Sequence, residues 1–299
     1  MDEPVRPVGP LAMNNGYVAA AVYWALVEGG PTGDVTTDAC VDYTARVSAR
    51  IVAKQPGVLA GMEFAREAFQ QCGAECLMLA KDGDLVNPGD VVIQMEQQPA
   101  RAVLKGERVA LNFLGHLAGI ATMARRFVQA VEGTGAVILD TRKTTPGLRV
   151  AEKAAVKAGG GQNHRQGLSD GILIKENHIR AAGAIGVALQ RALSVAPDDL
   201  FVEVEVTNLN ELGEAMDSGA KVVLLDNMSI EEMRQAVKLT RARDVKTEAS
   251  GGVNLENVRQ IAETGVDYIS IGWITHSSPT LDLSLLVDYE AKHDEVFDI

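Results

Sequence analysis

The sequence predicts an α/β chain of two domains, a small α+β unit followed by a parallel βα barrel. Its 299 residues, 46% hydrophobic, suffice for two cores of ordinary size. After Gly133 short apolar runs alternate with helical or loop stretches, the pattern of βα units. Before that point the turn signals Asp82-Gly83 and Pro88-Gly89 separate short apolar segments, as in a small antiparallel sheet.

In chain order, residues 11–27 have helical spacing, and Gly29 to Thr37 read as a loop. TARVSARIVA (44–53) alternates apolar and polar residues of β-favouring type and predicts a strand. A short strand and a helix ending near Gly73 follow, then strand-like segments at 91–95 and 102–104. Residues 107–131 form a long helical pattern, with Leu111, Leu114, Leu117, Ala118, Met123 and Phe127 near helical spacing, and are the expected connector between domains. Six barrel strands are expected in 136–143, 171–177, 201–206, 221–227, 245–252 and 267–272. Domain limits of 1–116 and 117–277 follow, with a tail at 278–299 that can return to the first domain.

The net charge is −12 and the pI near 4.9, which argues against nucleic-acid or anionic-membrane partners. Cys40, Cys72 and Cys76 are too few for a disulfide framework and imply a reducing, cytoplasmic compartment. MDEPVRPVGP lacks the cationic start of a signal peptide, and the longest apolar run, about ten residues, is half a membrane span, so a soluble protein is expected.

Against this acidic background the segment from Asp140 to Arg180 holds eight cations and four anions. Each barrel run is apolar at its start and polar at its end. Arg142 and Lys143, Lys175, Glu205, Asp226, Ser250 with Gly251 and Gly252, and Gly272 all stand at strand ends, the face where a βα barrel carries its site. With His164 and Arg165, the cations suit carboxylates or phosphates, arginine as a planar fork and lysine as a mobile point charge. Glu205 and Asp226 can pair with those cations, or ligate sugar hydroxyls or Mg²⁺. EASGGV (248–253) and SIGWITHS (270–277) place small residues where backbone N–H groups can cradle a phosphate. His116 and His178 read as structural. Two other readings are a Schiff-base role for Lys175, as in aldolase-type barrels, and a non-catalytic phosphosugar binder.

These residues stand in ordered motifs: GERVALN (106–112), TRKTTPGLR (141–149), GGG-x-x-HR-x-x-LSDGILIKENHI (159–179), EVEV (203–206), LLDN (224–227), EASGGV and IG-x-x-THS (271–277). Together, from Gly33 to Thr275 and beyond, they resemble the quinolinate phosphoribosyltransferases. The resemblance implies an N-terminal α/β sandwich domain and an open, seven-stranded α/β barrel. It implies transfer of phosphoribosyl from phosphoribosyl pyrophosphate to quinolinate with decarboxylation, giving nicotinate mononucleotide, pyrophosphate and CO₂ in NAD biosynthesis. Arg142, His164, Arg165 and Lys175 would surround quinolinate, joined by Arg108 from a second subunit of a homodimer or hexamer. Lys143, Glu205, Asp226, Ser250, Gly251, Gly252, Gly272 and His276 would hold phosphoribosyl pyrophosphate, with Lys143, Glu205 and Asp226 nearest the chemistry and Mg²⁺ at Glu205 and Asp226. The chain departs from the family where KENH replaces the commoner KDNH at 175–178, and at Trp273, where smaller residues are usual.

Overall fold

The computed structural model describes residues 13–30, 33–197 and 200–288. The expectations for the N-terminal decapeptide and the last residues of the tail therefore lie outside the described residues. The chain divides into two compact units, with the breaks after Thr122 and after Ser278.

Helices α1 (Asn15–Gly29) and α2 (Val35–Cys40) open the first unit, each capped by a side chain, Asn14 onto the Tyr17 N–H and Asp34 onto the Thr37 N–H. The helical 35–37 corrects the loop expected up to Thr37; the Asp34 cap is what starts a helix there. Strands β1 (Arg46–Ala53) and β2 (Gly57–Val58) precede α3 (Met62–Cys72), which ends at Gly73 in the left-handed region, φ +92°. Next come β3 (Leu77–Met78), β4 (Leu85–Val86), β5 (Val91–Pro99) and α4 (Ala100–Ala130). Residues 102–104, expected as sheet, lie in α4, because Pro99 closes the strand and a run of good helix formers follows it.

In the second unit the elements are β6 (Val137–Leu139), α5 (Arg149–Ala158), β7 (Ile172–Ile174), α6 (Glu176–Ala182), α7 (Ile185–Val195), β8 (Val202–Val206), α8 (Leu209–Asp217), β9 (Val222–Asp226), α9 (Ile230–Arg241), β10 (Lys246–Ser250), α10 (Val258–Ala262), β11 (Tyr268–Ser270) and α11 (Trp273–His276). The last strand, β12 (Leu283–Asp288), belongs to the first unit and pairs antiparallel with β1.

The first unit is built on an antiparallel sheet, β12-β1-β5-β3. Helix α4 is buried along most of residues 113–121, as a helix in a core must be. Two of its glycines make room for the returning chain: the Leu281 N–H reaches the Gly115 carbonyl at 2.9 Å, and a Cβ on Gly119 would collide with the Pro279 carbonyl.

All six predicted barrel runs are strands, ordered β6-β11-β10-β9-β8-β7 and parallel throughout. Val204, Val206, Val223, Leu225 and Ile269 are fully buried in its core. Among the described residues a seventh strand is reduced to a single parallel bridge, Leu139 with Gln162, on the free edge of β6. No described helix is long and apolar enough to cross a membrane.

Candidate active site at the strand ends

Since β6 and β7 are the two ends of the strand order, the barrel has a seam between them. Residues 162–171 span it. On one side Gln162 is bonded to β6, its N–H to the Ile138 carbonyl at 2.9 Å; on the other Arg165 donates to the Gly171 carbonyl at 3.0 Å, just before β7. The cations predicted for an anion collect here: Arg142 and Lys143 after β6, His164 and Arg165 in the spanning segment, Lys175 after β7. The residues after β8 to β11 are of another kind, carboxylates and small side chains.

Both groups face one cavity of about 820 Å³. Its walls include Arg142, Lys143, His164, Arg165, Lys175, Glu205, Asp226, Ser250, Gly251, Gly252, Gly272 and His276. Arg108 is elsewhere, exposed on α4 in the first unit and absent from that lining.

At the seam, burial and then the neighbouring Arg142 hold the Arg165 pKa below its ordinary value, a mark of crowded cations. Arg142 Nε is buried with no partner among the described residues, a donor that an anion would satisfy. Lys175 Nζ lies 3.1 Å from Glu205 Oε2, so Glu205 makes one of the ion pairs open to it in the sequence. His178 is structural, its Nδ1 accepting the Lys175 N–H at 2.9 Å.

His164 is held on both nitrogens. Nδ1 accepts the Arg165 N–H at 2.7 Å, while Nε2 is 3.0 Å from Glu203 Oε2 and 3.5 Å from Glu248 Oε2. Burial pulls its pKa down, but the Glu203 hydrogen bond and the charges of Glu248 and Glu203 outweigh that and raise it. Burial and then the Glu203 charge push Glu248 upward. Sequence reasoning missed both carboxylates as site residues. The alternation of EVEV was the signal for Glu203, since it must share a strand face with Glu205.

Beyond β10, Gly251 and Gly252 have φ of +92° and +63°, which residues with side chains rarely adopt. A Cβ on Gly251 would overlap the Asn227 amide, and one on Gly272 would stand 2.8 Å from Lys143 Cδ. Thr275 Oγ1 donates to the Lys143 carbonyl at 2.7 Å, tying α11 to the loop after β6. Trp273 lines the cavity at 39% exposure. Asp226 Oδ2 accepts from Asn227 Nδ2 at 2.9 Å.

Residues 34–118 match the family profile described as quinolinate phosphoribosyl transferase, N-terminal domain, and residues 120–286 that of the C-terminal domain. A probable nicotinate-nucleotide pyrophosphorylase (carboxylating) of Bacillus subtilis is 44% identical over 256 residues, 85% of this chain and 88% of that protein. The nicotinate-nucleotide pyrophosphorylase (carboxylating) of Mycobacterium leprae is 42% identical over 84% of this chain and 90% of its own length. The solved structure of the nicotinate-nucleotide pyrophosphorylase from Francisella tularensis superposes with a TM-score of 0.87 at 39% identity, covering 92% of this chain and 97% of that one. With both domain profiles matched and the architecture shared along nearly the whole length, the chain belongs to the quinolinate phosphoribosyltransferase family.

Proposed function

We propose that the cavity transfers phosphoribosyl from phosphoribosyl pyrophosphate to quinolinate and releases CO₂, forming nicotinate mononucleotide for NAD biosynthesis. One observation carries the reading: a single cavity joins a cationic seam to a rim of carboxylates and small residues. The seam suits an aromatic diacid and the rim a phosphosugar.

Arg142, Arg165 and Lys175 bind the two quinolinate carboxylates, the arginines through planar forks. His164, with both nitrogens engaged, adds shape to the quinolinate site; donating to substrate would cost it the Glu203 bond. Lys143, Ser250, Gly251, Gly252, Gly272 and His276 bind the phosphosugar. Glu205 and Asp226 end the neighbouring strands β8 and β9, and two carboxylates beside a pyrophosphate are the hard-oxygen donor set that Mg²⁺ takes. They would hold the ion, which when bound supplies charge neutralisation to the departing pyrophosphate.

As the bond from ribose C1 to pyrophosphate breaks, its electron pair leaves with the pyrophosphate, and Glu205 and Asp226 stabilise the positive charge developing on the ribose. Lys143 steadies the leaving anion. The pyridine nitrogen donates its lone pair to C1. Decarboxylation then leaves the C2 bonding pair on a carbon adjacent to the positive nitrogen, and that carbon takes a proton. The protein supplies position and charge without a covalent nucleophile.

We place Arg108 at the site of a second subunit in a homodimer or hexamer. A reducing cytoplasm suits the three free cysteines. The test is turnover of quinolinate with phosphoribosyl pyrophosphate and Mg²⁺, following nicotinate mononucleotide and CO₂ together, with nicotinate in parallel. Both products from quinolinate and none from nicotinate are expected; a folded, oligomeric sample that yields no product from quinolinate overturns the reading.

A further inference from the structure

Helix α5 touches none of the cavity, yet three side chains of its first turns reach the loops that carry the quinolinate cations. Lys153, 1% exposed, pairs with the fully buried Asp140 immediately after β6 and reaches the Thr141 carbonyl at 3.4 Å. The same Asp140 carboxylate accepts the His164 N–H at 2.9 Å. With its amide nitrogen facing inward, Asn163 donates to the other Asp140 oxygen at 2.7 Å and to the Lys153 carbonyl at 2.8 Å. One buried ion pair thus holds both the start of the Arg142 loop and the His164–Arg165 stretch across the seam.

Its neighbours extend the grip. Glu152 Oε2 accepts the Thr145 N–H at 3.1 Å. Arg149 donates to Thr144 Oγ1 at 3.0 Å, to the Gln166 carbonyl at 3.4 Å and to the Arg142 carbonyl at 3.5 Å, so its guanidinium also bridges the two loops.

Stability alone is a poor reason for such a pair. Exchanging a buried ion pair for apolar side chains of similar volume is often neutral or favourable, whereas ion pairs that fix geometry have a use beyond stability. Burial outweighs Lys153 and raises the Asp140 pKa to about 6, so the fold holds this carboxylate charged against its own preference. What the pair achieves is a fixed spacing between cations from two separate loops.

We propose that Asp140 and Lys153, aided by Arg149 and Glu152, are positioning residues for the aromatic diacid, holding Arg142 and Arg165 at the spacing its two carboxylates require without touching it. The proposal rests on the reading that the cavity takes quinolinate. The effect should fall more heavily on the diacid, because Glu205, Asp226, Ser250, Gly251 and Gly252 after β8 to β10 do not hang on α5. Lys143, by contrast, shares the clamped loop, and His276 sits on α11, which packs against α5.

The test compares the wild type with the charge-balanced double variant Asp140→Asn/Lys153→Met and with Arg149→Lys, which keeps its charge and loses the fork. KM for each substrate, kcat and thermal unfolding are measured on oligomeric protein. In the double variant KM for quinolinate should rise about tenfold or more, as for displaced binding groups, with a clearly smaller rise for phosphoribosyl pyrophosphate, which keeps its residues after β8 to β10. Arg149→Lys should show the same selectivity to a smaller degree, and decides the matter if the double variant does not fold. Equal changes in both KM values, or no change in a folded variant, overturn the positioning role while leaving the activity in place. A wild type that does not turn over quinolinate overturns the functional reading, and this proposal with it.

Discussion

His164 shows how a residue can sit in a cation-rich site while its own hydrogen bonds point inward. Its Nε2 faces Glu203 and Glu248, which are 1% and 2% exposed, so three titratable groups share one small volume. The His164 pKa is raised above 6.5: burial opposes the charge, but the Glu203 hydrogen bond and both carboxylate charges outweigh it. The stabilisation this gives is fully present below pH 6.5 and fades as pH rises through the folded value. Glu248 acts with the same sign, since an acid with a raised folded pKa loses stability as pH climbs from 4.5 to that value. Asp140, raised to about 6, has spent its effect by then. The urea midpoint of the wild type should therefore be lower at about pH 8.5 than at about pH 6, and Glu248→Gln should narrow the gap. An unchanged gap in that variant would remove Glu248 from the account. At this scale the sequence was informative where polarity broke an apolar run, as at Lys175, Glu205 and Asp226. It was silent on Glu248 and Asp140, since their importance lies in partners brought from distant segments.

Among the elements, α4 makes the clearest energetic case. Substituting alanine for glycine inside a helix ordinarily stabilises by about 1 kcal/mol. At Gly119 the added methyl would meet the Pro279 backbone, which cannot rotate away as a side chain would, and overpacking costs about 1–3 kcal/mol. The clash should win: Gly119→Ala is expected to lower the denaturation midpoint, with Gly115→Ala, 3.1 Å from the Leu281 carbonyl, less affected. The parallel strands were the most legible elements because each buries nearly its whole length and ends in polar residues. The start of α4 was less so: 102–104 is as apolar as a strand, and only Pro99 and the helix formers around it decide the matter. Helix α5 was only one of the unassigned helical or loop stretches between strands, and it was opaque as a clamp, because periodicity reports which face is buried and not what that face grips.

For the molecule as a whole, one predicted site residue stands apart from the rest. Arg108 is exposed on α4 and the cavity of the second unit is lined without it. If, as proposed, it serves a neighbouring subunit, Arg108→Ala and Lys143→Ala should each be inactive as pure proteins. Mixed and reassembled one to one, they should recover about a quarter of wild-type activity, since half the dimers are mixed and each of those has one intact site of two. No recovery in properly mixed dimers would mean that Arg108 serves its own chain, and a fully active Arg108→Ala that it serves no site. The two-unit organisation was visible in the change of texture after Gly133, whereas the last strand, β12, was only part of a tail that could return to the first domain, with no strand assigned. Its pairing with β1 is a contact between opposite ends of the chain, which no local pattern records.

Trp273 was first of interest as a departure from the family's smaller residues, but its position gives the molecule a further property. The chain has two tryptophans, Trp273 in the cavity wall and Trp24, 67% exposed on α1. Replacing Trp24 with phenylalanine would leave an indole at the cavity as the sole tryptophan emitter, a built-in optical probe. Occupancy could then be followed by fluorescence on the timescale of mixing, with no coupled assay and no added label, so the order in which the two substrates arrive becomes directly observable.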